Sequence, residues 1–217
     1  MSPSREQILG KVRDALGRRA GAPAPPMPPT ARVAPRAPGE PEAEIAQLLA
    51  EIGKLNGVTR RLANRDELRT ALAELVKTED VKKATLWTTP DLADWGVAES
   101  LEALGVEIVL AQADKHLVAA CELGVTGVDA ALPETGTLQL LSSPERPRVV
   151  SLLPRVHLAI FTPTVLRADL HQAFAGAKDA GYSVFVTGPS RTSDIELTLT
   201  LGVHGPKSLY AWVLPGY

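Results

Sequence analysis

The chain has 217 residues, 45% of them hydrophobic and 22% charged, which suits one domain with an appendage and allows a buried core. Its formal net charge is −2, from 25 acidic and 23 basic side chains, so no global basic field draws it to nucleic acid or to an anionic membrane. No apolar run reaches the roughly 20 residues that a membrane span takes.

The N-terminus and the single cysteine indicate the compartment. The chain opens as MSPSRE, which leads into a charged stretch rather than the apolar segment of a signal peptide. Cys121 has no cysteine to pair with, and one thiolate cannot hold an iron–sulfur cluster, which normally takes four. No dinucleotide fingerprint, Walker loop or metal-type histidine spacing occurs. We therefore expect a cytoplasmic protein with no metal and no cofactor of its own.

Two segments precede the predicted domain. Residues 1–19 are predicted to form a basic helix, because apolar side chains recur on one face at Ile8, Leu9, Val12 and Leu16. Residues 20–40 are predicted to be a proline-rich linker, since eight of the eighteen prolines lie between Pro23 and Pro41. The helix is then tethered, with docking on its own domain or on a partner subunit as the two alternatives.

Residues 41–217 alternate between helical and strand patterns, which predicts an α/β domain whose sheet is flanked by helices. Helices are expected at 41–55, from residue 64 onward and at 91–104, and strands at 58–62, 84–88 and 107–111. Gly57 is expected to end the first helix. Asn64 and Glu67 have the spacing of a capping box at the start of the second.

The second half of the domain is richer in strands. Strands are predicted at 125–132, 137–141, 148–153 and 157–161, with hardly any helix between them. This run favours adjacent, partly antiparallel strands and therefore a mixed sheet. A helix at 168–177 and strands at 183–187 and 209–214 complete the prediction.

The first candidate site is the glycine-rich segment 124–137, GVTGVDAALPETGT. Its glycines allow a ligand to approach the backbone, and its carboxylates could act as nucleophile or general base where water is excluded. The alternative is a hairpin whose acids cap the turn. Candidate ligand-binding residues here are Thr126, Gly127, Asp129, Thr135, Gly136 and Thr137, with Glu134 as the candidate catalytic residue.

The second candidate site is the segment 188–206, which follows a predicted strand at its carboxyl end, where open α/β sheets bind ligands. Ser193 and Glu196 could cap a short helix whose free amides would hold a phosphate or carboxylate together with Arg191. Alternatively, Arg191 forms a structural bridge to Asp194 or Asp129. The candidate ligand-binding residues are Gly188, Ser190, Arg191, Thr192, Asp194 and His204.

Taken together, GVTGVDAA-x-x-ETGT and GPSRTSDIE…LGVHGP, in this order and separation, resemble the LUD-domain family over roughly residues 58–214. The resemblance implies a fold similar to the ribose-5-phosphate isomerase and CoA-transferase group. It also implies a role in oxidising L-lactate to pyruvate beside iron–sulfur partner proteins, which would carry the clusters. Glu134 lies in a turn similar to the Glu-Asn-Gly turn of CoA-transferases, although Thr135 stands in place of asparagine.

Two functions follow from this sequence as alternatives. The chain is either a non-redox subunit of a lactate-oxidising system, binding partners and a small anion, or a free-standing enzyme that uses Glu134 on a small phosphorylated or acyl substrate. In either case we expect Glu134 and Arg191 to face one pocket, because both loops lie at ends of strands in one sheet. Arg191 and the loop amides would hold the anion, with Glu134 and Asp129 facing the rest of the ligand.

Overall fold

A computed structural model of the protein describes residues 3–17, 23, 26, 35–178, 180–194 and 198–216. The chain forms two compact units, Met1–Ala34 and Pro35–Tyr217. In the first unit, helix α1 spans Pro3–Ala15, and Ile8 and Val12 on it are exposed, as is Leu16 just after it. The remainder of the predicted basic helix and residues 20–34 of the predicted linker lie largely outside the described residues. No helix in the described ranges combines the length and apolarity that crossing a membrane takes.

The second unit alternates helices and strands. Its helices are α2 (Pro41–Lys54), α3 (Arg65–Thr78), α4 (Pro90–Asp94), α5 (Val97–Ala103), α6 (Lys115–Ala119), α7 (Val149–Leu152) and α8 (Leu170–Gly176). Its strands are β1 (Val58–Arg61), β2 (Lys83–Leu86), β3 (Glu107–Leu110), β4 (Leu123–Thr126), β5 (Ala130–Leu132), β6 (Thr137–Leu141), β7 (Val156–Phe161), β8 (Ser183–Val186), β9 (Arg191–Asp194), β10 (Thr198–Leu201) and β11 (Ser208–Val213). Two 3-10 turns lie at Pro133–Thr135 and Pro163–Val165.

The α/β class is confirmed, but parallel and antiparallel strands lie in different sheets. Six parallel strands form the main sheet in the order β1-β11-β7-β4-β2-β3. A second sheet, β5-β6-β8, is antiparallel, and β9 and β10 form a separate antiparallel pair. The expectation of one mixed sheet was therefore wrong, because the chain leaves the main sheet after β4 to form β5 and β6, returns at β7, and leaves again to add β8 to the second sheet.

Helices cover both faces of the main sheet. On one face, side chains of α3 and α5 pack with alternate residues of the central strands, among them Leu158, Ile160 and Trp212. On the other face, α2 buries Ile45, Leu48 and Ile52 against Ala159, Phe161 and Ala211. Adjacent residues of β7 thus face opposite layers, as the two-residue period of a strand requires. Burial on both faces explains why the central strands consist of nearly continuous apolar residues.

The predicted helix boundaries at α2 and α3 are set by local hydrogen bonds. The Asn64 side chain accepts from the amides of Asp66 and Glu67, and the Glu67 carboxylate accepts from the amide of Ala63. The predicted N-cap at Asn64 is therefore confirmed, while Glu67 closes the helix start through the amide of Ala63 rather than that of Asn64. At the end of α2, Asn56 rather than Gly57 adopts the left-handed conformation, with φ of 66°, while the Gly57 amide donates to the Ile52 carbonyl.

Three predicted elements were wrong in detail. Residues 148–153 were expected to form a strand, but α7 occupies Val149–Leu152, and short apolar runs suit either state. The predicted strand 125–132 is divided between β4 and β5, which belong to different sheets. The predicted helix 91–104 is interrupted at Gly96, whose φ of 67° separates α4 from α5.

The start of the second unit is anchored by Arg36, which leads to a prediction about the linker. The Arg36 amide donates to Asp169 at 2.9 Å, and its guanidinium donates to Glu44 and to the Ala168 carbonyl. The hydrogen bond from Arg36 lowers the pKa of the Glu44 carboxyl. We expect limited proteolysis with proteinase K to leave a folded fragment that begins near Pro35, because proteases cut exposed connecting segments more readily than backbone held by hydrogen bonds.

Mass spectrometry of the fragment gives its first residue. Arg36→Ala removes the guanidinium contacts and leaves only the amide bond to Asp169, so the fragment should then begin nearer Pro41, the first residue of α2. A fragment of the unsubstituted protein that is already cut after Arg36, or one that no longer unfolds cooperatively, would contradict the anchoring role.

Candidate functional site

A cleft lies where three parallel strands of the main sheet end. Its walls come from segments that follow β2, β4 and β7: Trp87–Asp91, Gly127–Asp129 and Thr162–Val165. After β2 the chain runs towards β3 at the sheet edge, whereas after β4 it continues to β7 on the other side. The connections therefore diverge between neighbouring strands β2 and β4. Such a divergence at the carboxyl ends of parallel strands is where open α/β sheets bind ligands.

The cleft encloses about 520 Å³, within the range of small-molecule sites. Its apolar lining comprises Trp87, Pro90, Trp95, Val128, Ile160, Phe161 and Val165. Its polar lining comprises Thr88, Thr89, Asp91, Asp129, Ser143, Glu145, Arg146, Thr162 and Thr164. The Thr89 hydroxyl oxygen is buried and has no hydrogen-bond partner within the described chain.

Arg146 and Asp129 form an ion pair inside the cleft. Arg146 Nη1 donates to Asp129 Oδ1 at 2.5 Å, and Asp129 Oδ2 accepts from the Leu141 amide at 2.7 Å. The Arg146 guanidinium also lies 5.8 Å from the centre of the Trp87 ring, within the range of a cation–π contact. These contacts fix the orientation of the Arg146 guanidinium.

The loop between β6 and α7, residues 142–148, forms one wall of the cleft. Trp87 Nε1 donates to the Pro147 carbonyl at 3.0 Å, and the Gln112 side chain donates to the Pro144 carbonyl. Within the loop, the Ser143 hydroxyl donates to Glu145 and lowers the pKa of that carboxyl. The wall that carries Arg146 is thus attached to the segments after β2 and β3.

A buried polar pair lies in the sheet behind the cleft. Thr126, the last residue of β4, is fully buried, and its hydroxyl lies 2.9 Å from His157 Nε2 on β7. Burial lowers the pKa of His157 to about 4, so the ring is neutral at pH 7. Thr126 was predicted to contact a ligand, but its hydroxyl contacts His157 inside the protein.

The turn that contains Glu134 lies against the C-terminal end of α2. Glu134 is exposed. The pKa of Arg36 is raised mainly by its hydrogen bond to Glu44, and the negative charge of Glu134 adds a smaller contribution. Next to it, the hydroxyls of Thr135, Thr137 and Thr187 are linked at 2.8 and 2.9 Å. Gly136 has φ of 63°, and a Cβ there would lie 2.7 Å from the Ile52 nitrogen. A close approach to α2 therefore requires glycine at this position.

The second candidate segment forms a hairpin, so the predicted short helix beginning near Ser193 was wrong. Thr192 pairs with Thr200, and Asp194 with Thr198, in the β9–β10 ladder. This pairing agrees with the alternating sequence TLTL at 198–201 rather than with the capping signal. The amides of residues 193 and 194 belong to strand backbone instead of a helix N-terminus, which removes the proposed helical anion site.

The remaining predicted residues of that segment lie around the hairpin base. The Ser190 amide donates to the Pro206 carbonyl, its carbonyl accepts from the Gly202 amide, and Gly188 has φ of 117°. The exposed Arg191 donates to the Leu55 carbonyl at the end of α2. His204 is exposed. Asp129, one predicted partner of Arg191, is instead paired with Arg146.

The structure thus brings together only part of the predicted site. Gly127 and Asp129 line the cleft, whereas Glu134 and Arg191, both described, are absent from its lining. A pocket shared by Glu134 and Arg191 stays a prediction. Sequence reasoning missed Arg146 and Trp87. The available signals were the polar segment 142–146 between two apolar runs and the tryptophan near the end of the predicted strand 84–88. Among the described residues, no three His, Cys, Asp or Glu side chains are grouped to hold a metal ion.

Comparisons with known proteins connect the chain to one family. The family model described as LUD domain matches residues 45–214. An uncharacterized protein of Neisseria meningitidis serogroup B is 43% identical over 93 residues, covering 41% of this chain and 40% of the relative. Lactate utilization protein C of Halalkalibacterium halodurans is 32% identical over 152 residues, covering 65% of this chain and 66% of the relative. The chain therefore spans less than two thirds of either relative's length.

A solved structure supports the fold independently of sequence identity. The crystal structure of a DUF162 family protein from Deinococcus radiodurans superposes with a TM-score of 0.58 at 16% identity. The alignment covers 82% of this chain and 99% of that protein. At this identity the likeness concerns the fold alone.

Proposed function

This chain belongs to the LUD domain family, and from that premise we propose that it is a non-redox component of an L-lactate utilization system. The observation that carries the proposal is the 32% identity to a lactate utilization protein C over 152 residues. In this proposal, iron–sulfur partner proteins in the cytoplasm carry the electrons. The single cysteine supports that division of labour, because an iron–sulfur cluster normally takes four thiolates.

The position of the cleft supports a binding role for this subunit. It lies at the carboxyl ends of parallel strands and contains an oriented arginine–aspartate pair. A finer relationship to the ribose-5-phosphate isomerase and CoA-transferase group stays part of the proposal. In that relationship, the parallel sheet and the strands β5 and β6 inserted between β4 and β7 share a common origin with the corresponding parts of those enzymes.

Genetic complementation tests the proposed function. In a bacterium whose growth on L-lactate requires its own lactate utilization protein C, this chain is expected to restore growth on L-lactate when that gene is deleted. Growth on glucose should be the same with and without the chain, and an affinity-tagged copy should retain iron–sulfur proteins of the host system. Failure to restore growth, with the folded protein present at the level of the original, would reject the role.

The second candidate, a free-standing enzyme using Glu134, rests on the exposed carboxylate in a turn that Gly136 fixes against α2. In the same strain, Glu134→Gln preserves the shape of the side chain and removes its charge. If Glu134 is catalytic, the strain with Glu134→Gln should lose growth at an unchanged protein level. The isolated, unsubstituted chain should then turn over its substrate. Full growth with Glu134→Gln would show that the Glu134 carboxylate is not required. The non-redox role would then stand without any contribution from this residue.

A further inference from the structure

We propose that the cleft binds a small organic ammonium ion with a short apolar chain, held by the carboxylates of Asp91 and Glu145 and by the Thr89 hydroxyl oxygen. This goes beyond the proposed function, which names no ligand for the cleft. It is carried by the charges, the hydrogen-bond acceptors and the apolar surface of the lining.

The charge of the lining is negative. One guanidinium, Arg146, lies among three carboxylates, which belong to Asp91, Asp129 and Glu145. Arg146 is already bonded to Asp129. The pKa of Glu145 is lowered mainly by the Ser143 hydrogen bond, with a smaller contribution from the charge of Arg146. Carboxylates are ionised at pH 7, so two negative charges remain in excess among the described lining residues. Such a cleft attracts cations and repels anions.

These carboxylates suit an organic cation better than a metal ion. Both oxygens of Asp129 already accept hydrogen bonds, from Arg146 and from the Leu141 amide. Asp91 and Glu145 remain, and nowhere in the described chain are three His, Cys, Asp or Glu side chains grouped to hold a metal ion. An ammonium group requires no such shell, because each of its three N–H donors binds a carboxylate or a hydroxyl oxygen singly.

The Thr89 hydroxyl is an independent sign of a missing donor. Thr89 is the N-cap residue of α4, yet its side chain accepts no hydrogen bond from the helix amides. Its oxygen is buried and has no partner in the described chain, which is energetically unfavourable. The residue as a whole is half-buried and lines the cleft, so rotation about its Cα–Cβ bond turns the oxygen towards a ligand. An ammonium N–H then supplies the missing donor.

The proposed partners come from two chain segments that meet at the cleft. The Thr88 amide donates to the Glu145 carbonyl at 3.4 Å, which joins the loop after β6 to the segment after β2. Thr89 follows directly, and Asp91 lies in the first turn of α4. Asp91 and Glu145 are both exposed at the rim, where an approaching cation meets them first.

Apolar side chains provide the surface for the hydrocarbon part of the ligand. The cleft encloses about 520 Å³, which is more than an ammonium group fills. Its apolar lining includes Pro90, Trp95, Val128 and Val165. The Trp87 ring, 5.8 Å from the Arg146 guanidinium, already lies against a positive charge. A ligand with one cationic end and one apolar end therefore matches both parts of the lining.

Indole NMR signals provide a direct test, because the chain has three tryptophans and two of them line the cleft. Full-length protein labelled with 15N-tryptophan is titrated at pH 7 with n-butylammonium chloride to about 50 mM at constant ionic strength, since a ligand this small binds weakly. Signals of Trp87 and Trp95 should shift and saturate, while that of Trp212, buried in the core, should not. Absence of saturable shifts at Trp87 and Trp95 would overturn the proposal.

Three further probes test the ligand class. n-Butanol and butyrate have the same hydrocarbon chain without the positive charge, and each should bind at least about 10-fold more weakly than n-butylammonium. Equal binding of n-butanol would reduce the site to an apolar pocket, and equal binding of butyrate would contradict the charge argument. Magnesium chloride should leave both indole signals in place, whereas a saturable shift with magnesium would indicate a metal site. Any of these three contrary results overturns the proposal.

A matched pair of substitutions on one helix tests the carboxylate. Asp91→Asn removes a charge from the lining, whereas Asp94→Asn removes a charge from α4 outside the lining. The first should weaken n-butylammonium binding at least about 5-fold, and the second should leave it unchanged. Equal effects of the two substitutions would mean that the overall charge of the protein attracts the ligand, and would reject Asp91 as its partner.

Thr89→Val tests the hydroxyl, since valine keeps the shape of the side chain and removes its oxygen. Because that oxygen has no partner before a ligand binds, the variant should unfold at the same or a higher temperature and yet bind n-butylammonium more weakly. A lower Tm with unchanged binding would show that the hydroxyl stabilises the fold instead of the ligand, and the proposed role of Thr89 would be wrong.

Discussion

Replacing Gly124 with alanine is expected to lower the free energy of unfolding by about 3 kcal/mol or more, which corresponds to a fall of roughly 6–12 °C in Tm. Gly124 is buried on β4, and a Cβ there would lie closer than 3.0 Å to the Val150 carbonyl oxygen of α7. Because the obstacle is backbone rather than a flexible side chain, α7 or the central strand must move. Chemical denaturation at pH 7.5 gives the change.

Gly127→Ala is the matched control three residues away. A Cβ at Gly127 meets no atom within 4 Å, so its unfolding free energy should stay within about 0.5 kcal/mol of the unsubstituted protein. Two variants of equal stability would mean that α7 does not pack closely against β4 in solution. The comparison thereby separates a packing requirement from a general cost of losing glycine.

A neutral His157 is expected to contribute about 3 kcal/mol to the free energy of unfolding at pH 7.5. Lowering the pH to 4.5 should remove most of this contribution. The His157 side chain is fully buried, and burial lowers its pKa from 6.5 to about 4. Between these two values the unfolded chain binds a proton that the folded protein does not bind. Stability from this residue is therefore complete above pH 6.5 and falls as the pH decreases towards 4.

His157→Gln isolates this contribution. Glutamine can keep a hydrogen bond to Thr126 but does not titrate, so the variant should lose less stability than the unsubstituted protein between pH 6.5 and 4.5. Carboxyls with lowered pKa, such as Glu44 and Asp169, also destabilise the fold in acid, and they do so equally in both proteins. Equal pH dependence, measured by urea denaturation, would show that His157 is not the group responsible.

Local sequence patterns were sufficient to predict α2, α3 and the strands whose residues alternate or are continuously apolar. The N-cap at Asn64 could be predicted because all its hydrogen bonds join residues within four positions of one another. Likewise, the apolar stripe of α2 follows from its helical period alone, and its buried residues are Ile45, Leu48 and Ile52. Such elements depend on interactions that a short window of sequence contains.

Elements decided by distant packing were not predictable in the same way. Val149–Leu152 contains β-branched valines that favour a strand, yet it forms α7 against the flat surface that Gly124 leaves on β4. Ser193 and Glu196 have capping-box spacing, yet residues 191–194 pair with 198–201 as strands. In both cases the alternatives are close in local energy, so tertiary contacts determine the outcome.

The sequence by itself determined the α/β class, the helical and strand patterns of most elements and the glycine-rich segment that includes Gly127 and Asp129. Only the tertiary structure decided which groups meet. Asp129 reaches Arg146 because β5 and β6 fold back as a hairpin, and both reach Trp87 because β2 and β4 are neighbours in the main sheet. Strand order and register depend on burying whole faces at once, so they depend on residues far apart in the chain.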